Sequence, residues 1–162
     1  MLQRRKLQTL EDVETLHPMI HQIWTEVYTP IIGQEQVTYM LATYQGIDNI
    51  RREMAEGTKY YALFLEENLV GYTAYNIEPD AIYLSKLYIQ KEYRGQGFMK
   101  EIFTWYDQLS RQLVLKQRLR VNQGNHQAIQ VYKKRGFQFI QEDVIEIGEG
   151  FRMVDYLFEK NS

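Results

Sequence analysis

The residues best placed to do chemistry are two glycines and the arginine before them. Arg94-Gly95-Gln96-Gly97 follows an apolar run that closes at Ile89 and precedes an amphipathic stretch that opens at Phe98. Glycine allows positive φ and a close approach of backbone to ligand. A turn of this kind aims its amides, and those of the first helical residues, at one point. Such a nest at a helix N-terminus takes phosphate oxygens. The positions concerned are Arg94, Gly95, Gln96, Gly97, Phe98, Met99 and Lys100, with Arg94 and Lys100 adding positive charge. A P-loop needs glycine before the lysine and Ser or Thr after it, but Met99 and Glu101 flank Lys100. A dinucleotide fingerprint needs a third glycine where Lys100 stands. A tight strand-to-helix connection with no ligand also stays open at this point.

A second constellation runs from Val121 to Phe137. Asn125 is a good N-cap, and Tyr132 lies seven residues on, two turns along the same helical face. Ala128 between them is small enough to let another group approach, and Gly136 is placed to stop the helix. Taken alone, this is a capped helix with a core tyrosine and a glycine stop. His17, His21 and His126 read as surface or capping residues. Glu26 and Glu78 are candidate bases with no motif behind them, and a water chain is the alternative. The chain has no cysteine, which removes disulfides, zinc-thiolate sites and a cysteine nucleophile.

The elements that must hold these residues are marked by apolar spacing and by turn residues. Gln3–Leu7 reads as an edge strand. Leu10, Val13, Leu16, Ile20, Ile23, Trp24 and Val27 recur at helical spacing, with Pro18 expected to kink or split that helix. Pro30 and Gly33 mark a break. Val37, Met40, Leu41 and Tyr44 make a second helix, and Ile47, Ile50 and Met54 a further one, with Asp48 as cap and Gly57 as stop. Tyr60–Leu65 and Leu69–Ile77 form a hairpin about Glu66-Glu67-Asn68. Ala81–Ile89 is apolar enough to be buried on both faces. A helix follows with Phe98, Ile102, Tyr106, Leu109 and Leu113 on one stripe. Gln117–Asn122 is a strand, and Phe137–Ile145 with Phe151–Phe158 is a closing hairpin. This order predicts an α/β fold with a mixed sheet and helices on both faces, in one domain over 1–162.

The composition is that of a folded globular chain, with 44% hydrophobic and 25% charged residues. A net charge of -2 gives no field to draw nucleic acid or an anionic membrane. The short run Arg4-Arg5-Lys6 reads as a solvated arm. There is no signal-like h-region and no apolar run of membrane-spanning length, so a cytoplasmic protein is expected.

Together the two constellations resemble the GNAT superfamily of N-acetyltransferases. Its first motif, Arg/Gln-x-x-Gly-x-Gly/Ala, is similar to the chain at Arg94 and Gly97, with Met99 departing at the last position. Its second, Asn-x-x-Ala-x-x-x-Tyr-x-x-x-Gly-Phe, is matched at Asn125, Ala128, Tyr132, Gly136 and Phe137. Trp24–Tyr28 and Gln36–Leu41 further resemble bacterial members near the polyamine acetyltransferases. The resemblance implies a mostly antiparallel sheet splayed near its centre. It implies acetyl-CoA as cosubstrate and no metal. Its pantetheine arm would lie along Leu87, Tyr88 and Ile89, its pyrophosphate on the amides of the 94–100 turn, and Asn125 nearby. Tyr132 would be the catalytic proton donor to the leaving thiolate. The expected acceptor is a primary amine of a small molecule, held between the aromatic rings of Trp24, Tyr28, Tyr39 and Tyr44 and the carboxylates of Glu146 and Glu149. A peptide or protein N-terminus as acceptor, or a non-catalytic acyl-CoA-binding module, are the alternatives, and a homodimer is compatible with either.

Overall fold

The computed structural model describes residues 1–162. The elements run β1 (Gln3–Lys6), α1 (Leu10–Ile32), α2 (Gln34–Ala42), α3 (Ile47–Ala55), β2 (Lys59–Leu65), β3 (Asn68–Ile77), β4 (Ala81–Ile89), α4 (Phe98–Leu113), β5 (Lys116–Asn122), α5 (His126–Lys134), β6 (Gln138–Gly148) and β7 (Phe151–Lys160). A single 3-10 turn, Lys91–Tyr93, sits between β4 and α4. The strands form one seven-stranded mixed sheet in the order β1-β2-β3-β4-β5-β7-β6. The ladders β1–β2, β2–β3, β5–β7 and β6–β7 are antiparallel, while β4 with β5 is parallel and holds only from Ala81↔Lys116 to Tyr83↔Arg118. β4 continues to Ile89 beyond that short ladder. No helix is long and apolar enough to cross a membrane.

The chain divides into two compact units, Met1–Asn76 with Lys86–Glu101, and Ile77–Ser85 with Ile102–Ser162. β4 and α4 each contribute residues to both.

In the first unit, α1 begins at a capping box. Thr9 Oγ1 accepts from the Asp12 amide at 3.1 Å, and the Asp12 carboxylate accepts from the amides of Thr9 and Gln8 at 3.1 and 2.8 Å. Those backbone bonds hold the Asp12 carboxyl below its usual range. The helix then runs unbroken through both Pro18 and Pro30 to Ile32, so the expected split at Pro18 does not occur. A proline removes one main-chain bond, but the buried stripe Val13, Leu16, Met19, Ile20, Ile23 and Trp24 continues across it. Packing of that stripe outweighs the local loss, as tertiary burial generally does for helices. Asp48 does not cap α3. Gly46 takes the N-cap position without a side-chain bond, and Asp48 lies in the first turn, where a carboxylate still suits the helix dipole.

β3 and β4 approach unusually closely. A Cβ on Gly71 would fall 2.1 Å from the Tyr88 carbonyl oxygen, so only glycine fits. Gln90 N–H donates to the Val70 carbonyl at 2.8 Å at the end of this contact. The second unit has its own core of Ile82, Ile102, Phe103, Tyr106, Leu119 and Phe158. Arg118 centres one cluster of its ion pairs, contacting Glu78, Asp80 and Glu159 at 2.7 to 2.8 Å. These carboxylates push the Arg118 pKa up, with Asp80 the largest contributor, while the arginine holds Asp80 down.

Candidate active site

The glycine turn forms as the sequence requires. Gly95 and Gly97 both adopt positive φ, +79° and +85°, and a Cβ on either would meet nothing within 4 Å. Backbone conformation, not crowding, therefore selects glycine at these positions, and the space over the turn is open. α4 starts directly after Gly97, and its first turn closes with the Glu101 amide on the Gly97 carbonyl at 3.3 Å. Amides ahead of that bond are the ones a helix leaves without an internal partner. Gly95, Gln96, Gly97 and Lys100 are exposed, Met99 is partly buried and Phe98 is buried, so the turn presents mainly backbone to solvent. Gln96 Nε2 donates to the Glu92 carbonyl at 3.2 Å and fastens the turn to the 3-10 segment before it.

The side chain of Arg94 does not stand free. Its Nε donates to the Ile89 carbonyl at 2.9 Å, and its two Nη atoms donate to the carboxylate of Glu26 at 2.8 and 2.7 Å. Glu26, a candidate base by sequence, is thus committed to an arginine. Glu78, the other, is committed to Arg118 at 2.7 Å. Neither carboxylate is left free to take a proton from a substrate without first giving up its arginine.

β4 carries Leu87 and Ile89 buried and Tyr88 partly buried. The Tyr88 hydroxyl shares a 2.8 Å hydrogen bond with that of Tyr28. Trp24 Nε1 donates to the Tyr72 hydroxyl at 3.0 Å, and its ring lies 4.4 Å from that of Tyr28. Trp24 and Tyr28 are therefore core residues of the first unit, 4% and 6% exposed, not walls of an open groove. Tyr39 and Tyr44 form a separate edge-to-face pair at 6.4 Å. Glu146 and Glu149 are exposed on the β6–β7 hairpin of the second unit. For Trp24 and Tyr28 burial decides for the apolar role, whereas Tyr44 is exposed and Tyr39 partly so.

Two titratable groups went unmarked in the sequence. Lys86 on β4 is partly buried, and burial holds its amine below the ordinary lysine value, with Glu53 acting in the opposite sense. Glu53 itself accepts from the Tyr60 hydroxyl at 2.6 Å. Asp155 on β7 is pushed up by burial, opposed by Arg120, with Asp143 directly across the ladder adding to the rise. Nothing in residue type or spacing distinguishes either from a surface charge.

The second motif assembles in the second unit. Asn125 caps α5, its Oδ1 accepting from the Ala128 amide at 3.4 Å. Asn122 Oδ1 accepts from the Gly124 amide at 2.8 Å and shapes the turn into the helix. Tyr132 is buried and lies edge-on to Phe103 and Phe137, with centroids 5.9 and 6.1 Å away. Gly136 ends the helix at φ +95°. His21 and His126 are exposed, and His17 Nε2 donates to the Gln45 carbonyl at 3.0 Å.

The seven-stranded mixed sheet with its helices is the fold of an acyltransferase family. The chain belongs to the GNAT acetyltransferases, and the family's acetyltransferase (GNAT) domain model matches residues 12–160. It is 28% identical over 121 residues to a probable spermine N(1)-acetyltransferase of Bacillus subtilis subsp. natto, covering 67% of this chain and 76% of that protein. It is 23% identical over 145 residues to a spermidine N(1)-acetyltransferase of Thermoplasma acidophilum, covering 86% and 89%. Among solved structures, the PaiA N-acetyltransferase of Thermoplasma acidophilum in complex with coenzyme A shares the fold, with TM-score 0.80, 22% identity, and 100% and 99% of the two chains covered.

Proposed function

We propose that residues 1–162 form one acetyl-CoA-dependent N-acetyltransferase domain that moves an acetyl group to a primary amine of a small molecule, of the polyamine class. The observation that carries this reading is the open backbone nest at Gly95 and Gly97, both left-handed, at the start of α4 in a chain of this family. In this reading the amides from Gly95 to Lys100 hold the diphosphate, and the main chain of Leu87, Tyr88 and Ile89 pairs with the pantetheine arm as an added strand would. A β4 amide polarises the acetyl carbonyl and takes up charge as the oxyanion forms. The neutral amine nitrogen attacks that carbonyl, the C–S bond breaks, and the CoA thiolate leaves with a proton from the Tyr132 hydroxyl. A phenol is matched to this task because its pKa of about 10 is close to that of a thiol. The excess proton on the amine passes to water, and water returns a proton to the Tyr132 phenolate. Asn125 contributes by fixing the start of the helix that carries Tyr132.

The polyamine class is supported by the names of the relatives, which act on spermine and spermidine. The test is thiol release from acetyl-CoA with spermine, spermidine, simple alkylamines and N-terminal peptides. Turnover with the polyamines is expected. Turnover with peptides alone would move the acceptor to a protein N-terminus, and CoA binding without turnover of any amine would make the chain a binding module.

A further inference from the structure

We infer that Arg94 serves the cosubstrate as a positioning residue and not as a phosphate ligand, and that Glu26 on α1 is its necessary counterpart. The inference rests on the acetyl-CoA reading above. A guanidinium has five N–H donors in a rigid fork. Here the fork spans two fixed points, the last carbonyl of β4 at Ile89 and both oxygens of Glu26. The bidentate arm gives the side chain one orientation, as paired parallel bonds to a carboxylate do. The backbone of Arg94 is equally committed, its amide donating to the Lys91 carbonyl at 3.2 Å, which closes the 3-10 turn. Immediately after it the chain enters the left-handed conformations of Gly95 and Gly97. Arg94 is thus the last fixed residue before the nest. Its side chain ties the departing strand to α1 across 68 positions of sequence and so sets where the nest begins.

Electrostatics gives the opposite expectation, and so makes the inference testable by sign. Were Arg94 a phosphate ligand, Glu26 would compete for it and repel the diphosphate. Removing the carboxylate charge would then strengthen CoA binding. If Arg94 positions the turn, removing Glu26 releases the fork and weakens CoA binding. Both side chains are about one-third exposed, so neither loss should unfold the chain.

The experiment is calorimetric titration of CoA into the wild type, Glu26→Gln, Arg94→Gln, Arg94→Lys and the Glu26→Gln/Arg94→Gln double variant, with unfolding temperatures of the unliganded proteins alongside. Each single variant should bind CoA about tenfold or more weakly, the scale of a lost charge-assisted hydrogen bond. The double variant should be no weaker than either single. Arg94→Lys should not rescue binding, because one ammonium cannot span both anchors, and unliganded unfolding temperatures should stay close to that of the wild type. Glu26→Gln binding CoA as tightly as or more tightly than the wild type overturns the inference, as does full rescue by lysine. A wild type that binds no CoA overturns the functional reading itself, and the inference with it.

Discussion

Tyr132 is the residue on which the proposed chemistry turns. It is buried against Phe103 and Phe137, and its helix is fixed at one end by Asn125 and at the other by Gly136. Tyr132→Phe keeps the ring and its edge-on packing and deletes only the hydroxyl. Folding and CoA affinity should be retained, while kcat falls by about 10²- to 10⁴-fold, the usual worth of a general acid. Steady-state rates under conditions where chemistry limits turnover check this. An unchanged kcat would mean that the thiolate leaves without this donor. Lys86 makes a separate prediction about stability. Its folded pKa lies below the ordinary 10.5 because burial penalises the ammonium. The unfolded chain therefore binds more protons than the folded one between the two values, and stability rises with pH through that window. The destabilisation is complete below the folded pKa and vanishes above the unfolded one. Lys86→Met removes it, so the variant should melt above the wild type at neutral pH, with the gap closing as pH approaches 10.5. A gap that does not change with pH would show that Lys86 carries no such penalty.

At the scale of elements, the closest constraint is where β3 meets β4. The contact is backbone on backbone, since an added Cβ at Gly71 would stand 2.1 Å from the Tyr88 oxygen and 3.0 Å from Ile89 Cα. Neither can move as a side chain could. Gly71→Ala should cost about 3 kcal/mol or more in urea unfolding, at or beyond the upper end of overpacking effects. It should also weaken CoA binding, because it displaces the strand end that precedes the nest. Stability within about 0.5 kcal/mol of the wild type would mean that the strands separate easily here. Sequence alone made most elements readable, for identifiable reasons. Apolar spacing marked α1 and α4, the turn at Glu66-Glu67 marked the first hairpin, and paired glycines marked the nest. Three readings went astray for one shared cause. The continuity of α1 through Pro18, the place of Trp24 and Tyr28 in the core, and the commitment of Glu26 to Arg94 all depend on which distant residues pack there. Local pattern carries no record of that. The same holds for Lys86 and Asp155, whose altered protonation comes entirely from burial and from neighbours on other elements.

For the molecule as a whole, the question is how a chain of net charge -2 would bind a polyanion such as CoA. Long-range attraction does not favour it, so binding must come from local, oriented donors. In the proposed reading the backbone amides of the nest would provide these, the Arg94 charge being already matched by Glu26. Such binding should stabilise the whole chain. A ligand that binds only the folded form at 100 times its Kd adds roughly 2.7 kcal/mol. For a chain of this size that corresponds to a rise of about 5–10 °C in Tm. Gly97→Glu should abolish the rise for two reasons that act together. Glu at φ +85° is strained where glycine is not, and its carboxylate would enter the open space in which the phosphate is proposed to sit. Thermal unfolding with and without CoA checks both claims. A single transition that rises with CoA in the wild type, and stays fixed in Gly97→Glu, is the expected result. A wild type indifferent to saturating CoA would mean that the open turn at Gly95 and Gly97 is only a connection between strand and helix.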